Sequence, residues 1–288
     1  MDAAVTWLPY DPRLPALAEP PAALARRVCA ELPAAEPELL GYKPRARAVL
    51  AAGDRILKAY GSERRFRAAL AGLRGSAAAP LRAPAFVTAL PELRVTVQRR
   101  AAGARPETAA DAAEAAGALA AALQRAALPG LPAAPPERLL AAARRKAGVI
   151  GAVLPDLRPR LDALVRALAA TVPAGTSLVA AHGDFHADQL LLDPGGITVV
   201  DFDELCTAAP ALDLATYAAD VVRGRPGDDA ALDGVLDGLL AGYGDRPAAL
   251  EWHLAAALLG RAAHPFQRQA ADWPERTERM LAAAEAHL

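Results

Sequence analysis

Two short signatures hold the side chains best suited to chemistry. His182-Gly183-Asp184-Phe185-His186-Ala187-Asp188-Gln189 is the first, and Asp201-Phe202-Asp203, which begins 17 residues after Asp184, is the second. Carboxylates and amides beside apolar strands are costly to bury unless they are paired or bound to an ion. Phosphoryl transfer has a use for such a set: a divalent cation on the phosphate oxygens, a cationic clamp, and a carboxylate that accepts the acceptor's hydroxyl proton. Asp184, in a glycine-containing turn, suits the proton acceptor. Gln189 offers an amide oxygen and Asp201 a carboxylate at the end of Ile197-Thr198-Val199-Val200, both hard donors of the kind Mg²⁺ accepts. Asp193-Pro194-Gly195-Gly196 reads as a tight hairpin turn and is expected to bring Gln189 and Asp201 near each other. Asp203 is a further carboxylate of the second signature.

Other uses of these residues stay open at this level. A histidine-capped surface turn followed by a helix-capping aspartate would need no ligand at all. A metal hydrolase would use His182, Asp184, His186 and Asp201, since imidazole and carboxylate suit transition metals. The chain has five histidines, and the other three, His253, His264 and His287, fall in helical-looking segments far from the signatures.

The signatures resemble those of the aminoglycoside phosphotransferase and choline kinase-like family, relatives of the protein kinases. That family carries H-G-D-x-H-x-x-N, an apolar strand, and then D-F/W-D/E. His182, Gly183, Asp184, His186 and Asp201 match, and Gln189 stands at the Asn position, as in maltokinase-like and glucosamine kinase-like branches. The resemblance is strong over residues 179–217. It implies Asp184 as catalytic base, Gln189 and Asp201 as Mg²⁺ ligands, ATP as phosphoryl donor, and Asp213 as a structural residue capping the helix that follows it. It also implies Lys58, in Ile56-Leu57-Lys58-Ala59-Tyr60, as the phosphate-binding lysine. Gln98–Gly103 becomes the hinge whose backbone meets the adenine, with Gln98 as its first nucleotide contact. The implied fold is α+β, a bilobal protein-kinase-like architecture. Residues 1–100 form a small β-rich nucleotide-binding lobe, and 101–288 a larger, mainly helical, catalytic and substrate-binding lobe.

The elements needed to position these residues are visible in the pattern. Residues 20–32 look helical. Arg47–Ala51 and Arg55–Tyr60 read as strands about a Gly53-Asp54 turn, and Ser62 reads as the N-cap of a helix running to Leu73. Phe86–Leu90 and Leu93–Gln98 read as further strands. Helices are expected near 106–126, 136–151, 156–171, 211–223, 229–242, 248–263 and 274–287. No glycine-rich loop precedes Lys58, so phosphates would need the amides of Gly41–Arg47 or the side chains of Lys43 and Arg45. The helix after Lys58 has one acid, Glu63, at its start as a candidate partner for the lysine.

At 288 residues the chain can bury one large core or two lobes. Its apolar runs fall short of a membrane span and its start lacks a secretory pattern. Cys29 and Cys206 have no metal-binding spacing and point to a reduced, cytoplasmic protein. A net charge of −1 argues against a nucleic-acid partner. From Asp201 to Glu251 there are 11 acids against three arginines, a local charge that would draw in a cationic substrate. The expected activity is therefore ATP- and Mg²⁺-dependent phosphorylation of a hydroxyl on an aminoglycoside, amino sugar or related hydroxylated metabolite. The reading from another class is a catalytically inactive, kinase-like nucleotide-binding module.

Overall fold

The computed structural model describes residues 11–18, 20–28, 37–222 and 229–288. Along the chain come α1 (Pro21–Val28), β1 (Glu38–Lys43), β2 (Arg47–Ala52), β3 (Arg55–Tyr60), α2 (Glu63–Ser76), β4 (Phe86–Leu90) and β5 (Val95–Arg99). Then follow α3 (Ala113–Gln124), β6 (Ala133–Ala134), α4 (Pro136–Val153), α5 (Arg158–Ala170), β7 (Val179–Ala181), β8 (Leu190–Asp193) and β9 (Gly196–Val199). The chain closes with β10 (Cys206–Ala208), α6 (Ala211–Val221), α7 (Asp229–Tyr243), α8 (Leu250–Arg261), α9 (His264–Gln267) and α10 (Trp273–Ala286). It divides into two compact units, one of residues 1–104 with 191–205, the other of 105–190 with 206–288. The segment carrying Asp201 thus belongs with the N-terminal sheet.

That sheet has the order β1-β2-β3-β5-β4, with antiparallel neighbours throughout. β2 and β3 are joined by a two-residue turn in which Gly53 takes a φ of 58°, the first-position conformation such a turn requires. The register pairs Ala52 with Arg55 and, five steps on, Arg47 with Tyr60. Side chains alternate between faces along a strand. Leu50, Leu57, Val95 and Val97 therefore share one face and pack with Leu14, Leu17 and Leu24, while Tyr60 joins Phe66 and Ala69 of α2 on the other. Arg47, Lys58 and Thr96 fall on this second face too.

α2 begins at Ser62, whose hydroxyl accepts the Arg65 N–H at 3.4 Å. The helix reaches the 201–205 turn through Gly72, where a Cβ would lie 1.9 Å from the Phe202 carbonyl oxygen; only glycine allows that approach. The β8–β9 hairpin is tied to the same unit by bridges Ala104–Leu192 and Arg82–Thr198 and by the exposed Arg82–Asp193 ion pair at 2.8 Å.

The second unit is mainly helical, with a small sheet ordered β6-β10-β7. Alanine-rich α6 and α8 are almost wholly buried. α3 and α7 approach closely at reciprocal glycines: a Cβ at Gly117 would meet the Leu239 carbonyl oxygen at 2.0 Å, and one at Gly242 the Glu114 carbonyl oxygen at 1.7 Å. Among the described residues, no helix is long and apolar enough to cross a membrane. Cys206 is a buried thiol outside any disulfide.

Several sequence expectations need adjustment. β1 was not foreseen, because Glu-Leu-Leu-Gly-Tyr-Lys is an exposed edge strand without apolar alternation. β5 starts at Val95 rather than Leu93, since Pro91–Leu93 forms a 3₁₀ turn and Arg94 takes a φ of 53°. α3 starts at Ala113, after a 3₁₀ turn over Ala110–Ala112. The far end of the 20–32 helix, Cys29, and position 223 of the 211–223 helix lie outside the described residues.

Candidate active site

In the first unit, four charged side chains meet on the α2-facing side of the sheet. Lys58 is buried in β3, between register partners Val49 and Thr96. Its Nζ donates to Asp201 and, at 2.8 Å, to Asp203. Arg47 Nη1 donates to Asp201 Oδ1 at 3.2 Å, Asp201 Oδ2 at 3.1 Å and Asp203 Oδ2 at 3.1 Å. The Tyr60 hydroxyl adds a third donor to Asp203 at 3.0 Å. Asp201 adopts a φ of 68°, the left-handed region that aspartate tolerates better than most residues. Such a conformation persists where surrounding contacts over-determine it, and here two cations and the α2–Phe202 packing do so.

Burial pushes the Asp201 carboxyl up, but Lys58 and Arg47 outweigh it and hold it well below the usual carboxylate range. Burial would likewise lower Lys58, yet Asp203 and Asp201 keep it above its ordinary value and protonated. For Tyr60, burial and Asp203 both raise the hydroxyl, so it stays a donor.

The second unit presents Asp184 differently. Gly183 takes a φ of 87°, and the N–H groups of His182 and Gly183 donate to Asp213 at 2.7 and 3.0 Å. Asp213 is structural, as expected, but it tethers this turn from within α6 instead of capping the helix. Burial raises the Asp213 carboxyl against the pull of His182 and of both amides. The Asp184 side chain is 57% exposed and meets Arg261 Nη2 at 3.4 Å. Arg261, the last residue of α8, also reaches Asp220 at 3.5 Å.

Gln189 ends a 3₁₀ turn and is buried; its Nε2 lies 3.0 Å from His186 Nε2. Burial lowers the His186 pKa, against the opposing pull of Asp220 and Asp184, so the ring is neutral at pH 7. A neutral ring accepts the Gln189 amide proton at Nε2, which fixes the orientation of the amide and its oxygen.

Gln98 lies inside β5, paired with Ile56 on one side and Phe86 on the other. The next two N–H groups are also engaged, Arg99 to Ala85 at 2.9 Å and Arg100 to Asp54 at 2.8 Å. The connection with unpaired strand character therefore begins beyond Arg100. Glu63 is not the partner of Lys58: it is exposed and pairs with Arg67 at 2.7 Å, while the lysine's carboxylates come from Asp201 and Asp203. Sequence reasoning missed Arg47, Tyr60 and Arg261. The first two were recoverable from the hairpin register; Arg261 carries no local signal. A cavity of about 390 Å³ is bordered by Arg82, Asp193 and Thr198 and by Arg99, Ala101 and Ala102 of the expected hinge segment; Lys58, Gln98, Asp184, Gln189 and Asp201 do not line it.

The donor chemistry fits Mg²⁺. Of the two expected donors, Asp201 in the first unit is an ionised carboxylate paired with two cations, and Gln189 in the second unit carries a neutral amide oxygen. Among the described residues, no three His, Cys, Asp or Glu side chains gather as a metal cage. Mg²⁺ does not need one, since it commonly takes one or two protein oxygens and fills its shell with water and phosphate.

A strand lysine bound to the acid that follows a β-hairpin, within an α+β protein-kinase-like fold, defines a kinase-type phosphotransferase. The chain belongs to the phosphotransferase enzyme family (APH), whose family model matches residues 52–253. No curated protein matches the chain significantly. Solved structures do. A choline/ethanolamine kinase family protein from Mesorhizobium loti is 19% identical with a TM-score of 0.61, covering 92% of this chain and 94% of that one. The GDP and kanamycin complex of APH(2")-IIia is 13% identical with a TM-score of 0.65, over 92% and 98%. Amicoumacin kinase hAmiN, in complex with AMP-PNP, Ca²⁺ and Ami, is 14% identical with a TM-score of 0.65, over 92% and 93%.

Proposed function

We propose that this phosphotransferase moves the terminal phosphoryl group of ATP, with Mg²⁺, to a hydroxyl of an aminoglycoside, an amino sugar or a related hydroxylated metabolite. The observation that carries the reading is the Lys58–Asp201 pair: residues 143 positions apart meet as a lysine and an ionised carboxylate on one sheet face. In this proposal Asp201 and Gln189 hold Mg²⁺, which when bound neutralises phosphate charge and orients the transferring group. Lys58 anchors the phosphates, and the backbone following Gln98 meets the adenine. Asp184 takes the acceptor's hydroxyl proton as the oxygen forms its bond to the γ-phosphorus and the bond to the ADP oxygen breaks. Its exposed side chain leaves room for an acceptor. The nucleotides named for APH(2")-IIia and hAmiN support a nucleotide donor.

The acidic segment from Asp201 to Glu251 and the kanamycin named for APH(2")-IIia support an amine-bearing acceptor, whose KM should then rise with ionic strength. The test is ADP release over a panel of aminoglycosides, amino sugars and neutral sugars, with wild type and Asp184→Asn. A positioned general base contributes about 10²- to 10⁴-fold, so the variant should lose that much kcat on the best acceptor. Unchanged kcat would remove Asp184 from the role, and absence of turnover across the panel would favour a binding module.

A further inference from the structure

We infer that Arg47 is a ligand of the nucleotide's polyphosphate, resting on the metal-binding carboxylate until the nucleotide arrives; this builds on the kinase reading above. The β1–β2 turn that precedes it has few amides to offer a phosphate. The Arg45 N–H is taken by Asp11 Oδ2 at 2.6 Å and the Ala46 N–H by the Lys43 carbonyl at 3.0 Å. The same Asp11 carboxylate binds the Tyr42 hydroxyl at 2.9 Å, and its other oxygen binds the Arg13 N–H at 2.9 Å. Behind the turn, Gly61 donates to the Ala46 carbonyl at 2.9 Å, and a Cβ there would lie 2.0 Å from the Arg45 carbonyl oxygen. The turn is clamped from both sides, and the side chains of Lys43 and Arg45 are exposed.

Arg47 is the cation this arrangement aims inward. Register places it opposite Tyr60 and one diagonal from Lys58. Among the described residues its hydrogen-bond partners are Asp201 and Asp203, all reached through Nη1. A guanidinium carries five N–H donors in a rigid fork that matches phosphate oxygens, so Nε and Nη2 are available to a second anion. Two cations and two carboxylates make the resting cluster neutral. A divalent cation held by Asp201 would repel the guanidinium that shares its oxygens, and the phosphate oxygens of the nucleotide would offer that guanidinium new acceptors. Asp203, also held by Lys58 and Tyr60, retains its bond to Arg47 Nη1 during that exchange.

The test uses the full-length chain and binding alone, by calorimetry. Probes are ATP with Mg²⁺, adenosine, and Mn²⁺ without nucleotide, read by water-proton relaxation. In Arg47→Met, ATP affinity should fall about ten- to hundredfold, the scale of hydrogen bonds between charged groups, with adenosine affinity unchanged. Mn²⁺ alone should bind more tightly than to wild type, because a competing cation has gone. Arg47→Lys keeps charge but not the fork and should lose less ATP affinity; it decides the matter if Arg47→Met does not fold. Equal losses for ATP and adenosine, no loss for either, or weaker Mn²⁺ binding would overturn the inference. A wild-type chain that binds no ATP would remove the kinase reading itself, and this inference with it.

Discussion

The turn after β9 and the turn carrying Asp184 hold their carboxylates in opposite ways. Asp201 and Asp203 lie in a buried network of Lys58, Arg47 and Tyr60, backed by α2 at Gly72. Asp184 projects from a firmly tethered turn, but its side chain is mostly exposed and, among the described residues, makes a long contact with Arg261. The difference accords with the task proposed for each carboxylate. One set is organised before any ligand arrives, as suits the binding of a polyphosphate and its metal. The other is left open, as suits the proposed role of meeting an acceptor and taking its proton.

Stability should therefore separate the two turns. Asp203→Ala removes one anion from buried Lys58 and half-exposed Arg47 and should cost about 3 kcal/mol, the scale of breaking a buried ion pair, in urea denaturation. Asp184→Asn should stay within about 0.5 kcal/mol of wild type, as exposed substitutions do. Equal costs for the two would erase the contrast.

A smaller effect is expected at the clamp on the β1–β2 turn. Burial pushes the Asp11 carboxyl up, but the Arg45 and Arg13 amides and the Tyr42 hydroxyl outweigh it and hold it below its ordinary 3.8. A depressed folded-state pKa gives stability that is present above the unfolded value and lost as pH falls through the folded one. Asp11→Asn should thus lose about 1–3 kcal/mol at pH 7, and the gap to wild type should narrow below pH 4. A gap that widens in acid would contradict the sign.

Smallest of all is Glu63→Ala, which should change stability by less than about 0.5 kcal/mol and leave the KM for ATP unchanged. A large rise in that KM would restore the helix acid as the partner of Lys58.

Much of this arrangement was legible in the chain, and the gaps have physical reasons. Ser62 as helix cap, Gly53-Asp54 as turn and the hairpin at Asp193–Gly196 rest on local backbone preferences, which a sequence displays directly. Arg47 and Tyr60 were one step further. Once the two-residue turn fixes Ala52 opposite Arg55, counting back puts Arg47 opposite Tyr60 on the face that carries Lys58. Glu63 misled because helix adjacency in sequence says nothing about which face a side chain takes. The use of Asp203 as a lysine partner, and the reach of Arg261 from α8, depend on tertiary packing across 145 and 77 positions. The clamp from Asp11 depends on a similar long-range contact.

The most direct test of the division of labour is calorimetric titration of ATP, with and without Mg²⁺, into wild type, Asp201→Asn and Asp184→Asn. Asp201→Asn should lose the metal-dependent gain in affinity, while Asp184→Asn should bind Mg²⁺–ATP as wild type does yet turn over far more slowly. Metal-dependent ATP binding that survives in Asp201→Asn, or disappears in Asp184→Asn, would contradict the assignment of the two turns.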